Sequence, residues 1–161
     1  MIIREATKED VPKIFPVWRE LMEFHAERDL YWKLGEGAHE AFSKHLIGVL
    51  EKEDTFVFVA YANDNIIAYC RCSIVQRPPV FATPRQYGSF SELAVVPKYR
   101  RKGVGERMVE HAVEWFLAQG VLRIEVQVSV SNEISAHFWK KMGFTTYLKT
   151  MYQSVDLTAS A

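Results

Sequence analysis

The sequence is short of the features that mark specialised protein classes. Its 161 residues include only two cysteines, Cys70 and Cys72, which excludes a disulfide framework. They stand two apart in a segment that reads as extended, so both point to one face and cannot readily bridge each other. Two buried, reduced thiols are expected. The usual zinc spacings are missing, and the histidines at 25, 39, 45, 111 and 137 form no metal box, so no metal site is expected. Neither sign of charge dominates: twenty Lys and Arg balance twenty Asp and Glu. That balance speaks against a global basic field for nucleic acid or a membrane surface. No run of 18 apolar residues occurs, and the opening MIIREATKED is charged too early for a signal peptide. A cytoplasmic protein is therefore expected. Linkers rich in Gly, Ser or Pro are absent, as are internal repeats. Residues 1–161 are expected to form a single domain, large enough to bury roughly 68–70% of its unfolded surface.

What is present is globular in balance, with 48% hydrophobic and 25% charged residues, which excludes disorder and collagen-like repeats. Residues 2–6 read as a short strand. Thr7 and Asp10 have capping-box spacing. Val11, Ile14, Phe15, Trp18, Leu21, Met22 and His25 then follow helical spacing. The helix is expected over about 9–27, kinked by Pro12 and Pro16. A second helix is expected over about 38–52, with Phe42, Leu46, Val49 and Leu50 inward. Residues 55–62 and 66–75 form a hairpin across Asn63-Asp64-Asn65. A proline-bearing loop over 77–87 leads to a strand over 88–96. A helix from Val104 ends before Gly120. Residues 124–130 alternate as a strand, 135–142 form a short helix and 144–157 are β-rich. The order β-αα-βββ-α-β-α-β gives a mixed sheet covered by helices.

The most informative segment joins the 88–96 strand to the Val104 helix. Residues 98–107 carry five Lys or Arg and one Glu in a chain that is neutral overall. A helix N-terminus offers unpaired N–H groups and about +0.5 of a charge. Gly103 and Gly105 permit close approach to the backbone, and Arg100, Arg101 and Lys102 add positive charge. The arrangement suits a pyrophosphate. It is not a P-loop, whose signature is absent, and a dinucleotide fingerprint fails where a third glycine is replaced by Met108.

This segment resembles the acetyl-CoA-binding motif of the GNAT N-acetyltransferase superfamily, Arg/Gln-x-x-Gly-x-Gly/Ala after a strand. Arg100, Gly103 and Gly105 match it. Asn132, followed eleven and twelve residues later by Gly143 and Phe144, has the spacing of the family's second motif. The resemblance is specific over about 88–144 and weak over 20–87. It implies an α/β fold with a mixed, mostly antiparallel twisted sheet flanked by about four helices. It also implies acetyl-CoA as cofactor, with backbone bonds from Leu93, Ala94 and Val95 to the pantetheine. The turn Arg100, Arg101, Lys102, Gly103, Val104, Gly105 and Glu106 would bind the pyrophosphate through its amides, with Arg101 and Lys102 reaching phosphate oxygens. Asn132 would hydrogen-bond the cofactor near the splay between two strands, or cap a helix. Ser135 and Phe138 would line the pantetheine and adenine path; core packing is the other reading of Phe138.

The implied activity is N-acetyl transfer by direct attack of an amine on the thioester in a ternary complex. The acceptor is a small-molecule or peptide amine, and a homodimer is left open. Neutralising a lysine-like ammonium at pH 7 costs about 4–5 kcal/mol, and an α-ammonium only ~1, so alkylamine acceptors call for a base. Glu92, an acid in the otherwise apolar run from Phe90 to Val96, is the catalytic candidate, its other reading being a carboxylate on the exposed face of the strand; Ser91, on the opposite side, would orient a water should the register be reversed. Family members often carry a Tyr seven residues after the Asn as general acid. Here that residue is Trp139, whose indole donates a hydrogen bond but no proton. Either Tyr147 or Tyr152 takes that task, or the CoA thiolate leaves unassisted and is protonated by solvent. His25, Asp29, Tyr31, Trp32 and Glu36 are expected around the acceptor, with residues 76–87 as the other wall. Two alternatives stand beside this reading: a non-catalytic acyl-CoA-binding sensor or adaptor of the same fold, and a dinucleotide-dependent oxidoreductase.

Overall fold

The computed structural model describes residues 1–81 and 83–154. The elements run β1 (Ile2–Glu5), α1 (Val11–Ala26), α2 (Ala38–Val49), β2 (Thr55–Ala62), β3 (Asn65–Gln76), β4 (Gln86–Val95), α3 (Val104–Ala118), β5 (Ile124–Val126) and α4 (Glu133–Lys141). The sheet order is β1-β2-β3-β4-β5. Neighbours are antiparallel except β4 and β5, which run parallel. The mixed, mostly antiparallel sheet and its four helices agree with expectation.

Both faces of the sheet are covered. Val11, Ile14, Val17, Phe42, Leu46 and Val49 of α1 and α2 pack with Val57, Val59 and Tyr69 on one face. Val104, Met108, Ala112 and Phe116 of α3 and Trp139 of α4 pack with Phe58, Cys70 and Phe90 on the other. The two-sided burial explains why β2 and β3 are nearly continuous apolar runs. Cys70 and Cys72 are free thiols, both fully buried toward α3. A hydrogen bond with Cys72, then burial, holds the Cys70 thiol well above the usual value. Asn63 and Asp64 both take positive φ (50° and 60°) in the hairpin turn, the geometry that matches strand twist.

The boundaries differ from expectation in instructive places. Pro12 lies in the first turn of α1, where no N–H is needed, and Pro16 removes only the bond to the Pro12 carbonyl, so the helix continues to Ala26. A 3-10 turn at Lys8–Asp10 precedes it. The Thr7 N–H donates to Asp10 Oδ2 at 2.8 Å. Arg4 also grips Asp10 with two bonds, at 2.7 and 3.0 Å, and the Tyr61 hydroxyl donates to its Oδ1. The capping residue is thus the centre of a half-buried ionic cluster joining β1, α1 and β2. Helix α2 stops at Val49, short of residue 52. Strand β5 stops at Val126, although its alternating pattern runs to Val130, because it diverges from β4. No strand forms among the described residues 144–154, which corrects the expected final strand; residues 155–157 lie outside the described part.

Candidate active site

Strand β4 carries the first half of the site, and an irregularity in it matters most. Arg71 pairs with Glu92 and Cys72 with Phe90, so Ser91 is an extra residue, a bulge. Strict alternation would put Phe90 and Glu92 on one face. The bulge reverses the sides: Phe90, Leu93 and Val95 face α3 and α4, whereas Ala94 and Val96 face α1 and α2. Glu92 turns to this second face, with a side chain only 15% exposed. Its Oε1 accepts from Trp18 Nε1 at 3.1 Å, and its Oε2 accepts from the Tyr69 hydroxyl at 2.5 Å and from Arg71 Nε at 3.1 Å. Burial, and then the charge of Glu92, push the Tyr69 hydroxyl well above the usual phenol value, so it stays protonated and donates. Arg71 in turn lies 3.3 Å from His45 Nε2. Two donors fill Oε2, and Oε1 keeps a free acceptor position.

Glu92 and Tyr69 form the floor of a cavity of about 400 Å³ between α1, α2 and the 3-10 turn at Leu30–Trp32, walled by Trp18, Trp32, Leu34 and Phe42. Trp18 stacks on Phe42 with ring centres 4.3 Å apart. Of the residues expected around an acceptor, Trp32 lines this cavity and His25 stands behind it, 5.4 Å from the Trp32 ring. Burial, then Arg28, lowers the His25 value, so it is neutral at pH 7. Asp29 is spent capping the 3-10 turn, accepting from Tyr31 N–H at 3.0 Å. Tyr31 is 86% exposed, and Glu36 is exposed as well; neither lines the cavity, and nor does any described residue of 76–87.

The second half of the site lies on the far edge of β4. Strand β5 pairs only with Gly88, Ser89 and Phe90. Beyond Phe90 the two strands splay, and the β4 edge is open among the described residues. The Val96 N–H donates to the Ile67 carbonyl at 2.9 Å. By alternation the Ala94 backbone faces β3, and the backbones of Leu93 and Val95 face the splay. Ala94 is therefore a correction to the expected trio: its backbone is committed to the sheet. The Val95 carbonyl already accepts from Arg100 Nε at 2.7 Å.

The turn that follows shows which groups are free. Arg100 also donates to Glu20 of α1 at 2.7 Å, so its guanidinium ties β4 to α1 instead of standing at an anion site. Arg101 and Lys102 are exposed, with the Lys102 ammonium 5.9 Å from the Tyr99 ring centre. Arg101 and Gly103 both take positive φ, 56° and 77°. The first helical bond of α3 runs from the Arg107 N–H to the Gly103 carbonyl. The amides of Val104, Gly105 and Glu106 consequently point off the helix end. The Val104 side chain is buried, and the Glu106 carboxylate is held by Lys141 at 2.6 Å, so both offer only backbone. A side chain on Gly103 would meet open space, whereas one on Gly105 would lie 3.4 Å from the Phe138 ring. Gly105 thus serves the approach of α4 to α3, and Phe138 packs there in the mouth of the splay.

Asn132 is buried and caps α4, its Oδ1 accepting from the Ser135 N–H at 3.0 Å; its amide nitrogen is the group left over. Ser135 is half-buried beside it. Trp139 is buried among Phe90, Phe144 and Phe138, with ring centres 5.0, 5.0 and 5.2 Å away. It is a core residue. Tyr147 and Tyr152 are 69% and 90% exposed, which removes them as interior proton donors. Trp18, Tyr69, Arg71 and His45 were not anticipated. The one available signal was Arg71, a charge inside the apolar run of β3. No group of His, Cys, Asp and Glu among the described residues is arranged to hold a metal ion, and no described helix is long and apolar enough to cross a membrane.

The open β4 edge, the free amides of α3, the left-handed Gly103 and the exposed Arg101 and Lys102 fit a pantetheine chain ending in a pyrophosphate. Comparisons with known proteins agree. Residues 15–144 match the acetyltransferase (GNAT) family. N-alpha-acetyltransferase 30 of Schizosaccharomyces pombe is 24% identical over 127 residues, 78% of this chain and 81% of that protein. The BH1408 protein of Bacillus halodurans, solved as a tetramutant, shares the fold with a TM-score of 0.85 at 26% identity, covering 96% of this chain and 100% of that one. The aminoglycoside N-acetyltransferase AAC(6')-Iy, solved in complex with CoA, gives a TM-score of 0.76 at 18% identity over 96% of this chain and 93% of its own. The chain belongs to the GNAT acetyltransferase family and is an N-acetyltransferase whose acetyl donor is acetyl-CoA.

Proposed function

We propose that the protein acetylates a primary amine by direct attack, with the amine entering from the Glu92 cavity and the acetyl donor lying along the open edge of β4. The observation that carries this reading is the Ser91 bulge. It sets the Glu92 carboxylate on one face of β4 within a residue of the Leu93 backbone on its free edge. Bound acetyl-CoA supplies an activated acetyl thioester. The amides of Val104, Gly105 and Glu106 hold its phosphates, with Arg101 and Lys102 at the rim and the Asn132 amide at the splay. The Leu93 N–H binds and polarises at the edge. Glu92 Oε1 accepts the proton of the incoming ammonium, directly or through one water, and Trp18, Tyr69 and Arg71 keep the carboxylate aimed. The departing thiolate takes its proton from solvent, since the interior position is occupied by Trp139. The protein works in the cytoplasm.

The test is release of CoA thiol from acetyl-CoA in the presence of a panel of primary amines. Amine-dependent release that falls sharply in Glu92→Gln supports the reading. Binding of acetyl-CoA without release for any amine would instead leave an acyl-CoA-binding protein.

A further inference from the structure

The cavity over Glu92 is apolar in an unusual degree for a site that handles an ammonium. Trp18, Trp32, Leu34 and Phe42 wall it. The polar side-chain groups that surround Glu92 already have partners. Trp18 Nε1 and the Tyr69 hydroxyl are donated to Glu92, and His45 faces Arg71. The free position on Glu92 Oε1 is the carboxylate position left for an ammonium; neither Trp32 Nε1 nor His45 Nδ1 has a hydrogen-bond partner among the described residues. The single carboxylate is also matched by the single positive charge of Arg71, 3.1 Å away, and Lys44 of α2 and Lys52 just after it stand on the adjoining surface.

From this inventory we infer that the acceptor is a small monoamine carried on an apolar, ring-sized body, of the phenylalkylamine type. This inference rests on the proposed acetyl-transfer site. A ligand with one ammonium end and a carbon body matches the one carboxylate and the apolar walls. The ammonium meets Oε1 and the aromatic faces of Trp18 and Trp32, which attract cations. The body fills a volume of about 400 Å³ suited to a ligand of that size. A polyamine or aminoglycoside brings several ammonium groups to one carboxylate that Arg71 already neutralises. A peptide brings backbone N–H and C=O groups that the cavity side chains leave unpaired, which is costly. The geometry therefore selects against both, although structural neighbours act on aminoglycosides.

The experiment compares kcat/KM for 4-phenylbutylamine, n-propylamine, spermidine, kanamycin and a peptide with an N-terminal Phe, at saturating acetyl-CoA. 4-Phenylbutylamine is expected to exceed each of the others by about tenfold or more. Calorimetric titration of the same amines in the presence of CoA gives a readout that needs no turnover, and only the phenylalkylamine is expected to bind. Ala41→Trp, on an exposed position of α2 that borders the cavity, is expected to weaken that binding about tenfold while acetyl-CoA affinity stays within about twofold. Preference for spermidine, kanamycin or the peptide, with turnover still dependent on Glu92, would overturn the acceptor class alone. Turnover indifferent to Glu92→Gln would overturn the site, and the acceptor class with it.

Discussion

The indole N–H of Trp18 on α1 donates to Oε1 of Glu92 on β4 at 3.1 Å, across 74 positions of sequence. Trp18 is itself fixed by stacking on Phe42 of α2. Two helices therefore aim a carboxylate that a strand alone would leave free to swing. The same bond occupies one side of the oxygen assigned to the acceptor amine and leaves the other side open.

Glu92→Gln tests that oxygen. The amide keeps an acceptor oxygen but takes up no proton. kcat/KM is expected to fall most for amines with pKa near 10.4, whose neutralisation at pH 7 costs about 4–5 kcal/mol, and least for those near 8, where the cost is ~1. Acetyl-CoA affinity is expected to change little, because the β4 edge contacts are backbone. Rate profiles against pH for two amines, in parent and variant, decide it; equal losses for both amines would remove Glu92 as the base.

The turn before α3 separates stability from binding. Arg101 holds a left-handed backbone, φ 56°, at an exposed position. Arg101→Gly relieves that strain and is expected to raise the stability of the free protein by about 0.5–1 kcal/mol. The same change removes a phosphate-reaching charge and is expected to weaken acetyl-CoA by about 1–3 kcal/mol. Gly103→Val acts the other way on the first count: φ 77° makes a β-branched residue cost about 1–3 kcal/mol. Its side chain also stands where phosphates approach, so cofactor binding is expected to be lost. Thermal unfolding with and without acetyl-CoA reads both effects.

Asp10 links pH to stability. Burial pushes its carboxyl up, but the bonds from Arg4 and Tyr61 outweigh that and hold it well below the usual range. A depressed folded value means the contribution is fully present above the unfolded pKa of about 3.9 and is lost as pH falls below it. Asp10→Asn is expected to cost about 1–3 kcal/mol at pH 7, the exposure of Arg4 limiting the figure. Urea unfolding should show a parent–variant gap that is flat from pH 7 to about 5 and closes below about 4. A gap that widened on acidification would contradict the cluster.

Trp139→Phe is expected to cost about 1–3 kcal/mol of stability, because the smaller ring leaves a void beside Phe90 and Phe144. kcat at saturating acetyl-CoA is expected to stay within about twofold, since the indole supplies no proton. A loss of orders of magnitude with unchanged KM for acetyl-CoA would give the indole a part in the chemistry.

The sequence by itself determined most of the elements and the family. Periodicity located the four helices, turn residues located the β2–β3 hairpin, and Arg100, Gly103 and Gly105 with Asn132, Gly143 and Phe144 marked the family. These signals are local: spacing and backbone freedom are written in consecutive residues. Tertiary structure decided the rest. The sequence pattern of β4 carries no sign of the Ser91 bulge, yet that one residue turns Glu92 from the α3 face to the α1 face. Arg100 fits a phosphate motif, but Glu20, 80 positions away, claims its charge. The alternating pattern of residues 124–130 promised a longer strand, and the divergence of β5 from β4 ended it at Val126. The cavity exists only because Trp18, Phe42 and Tyr69 meet from three separate elements. Which groups a ligand finds free depends on which are already paired, and pairing between distant segments is fixed by packing, not by neighbours in the chain.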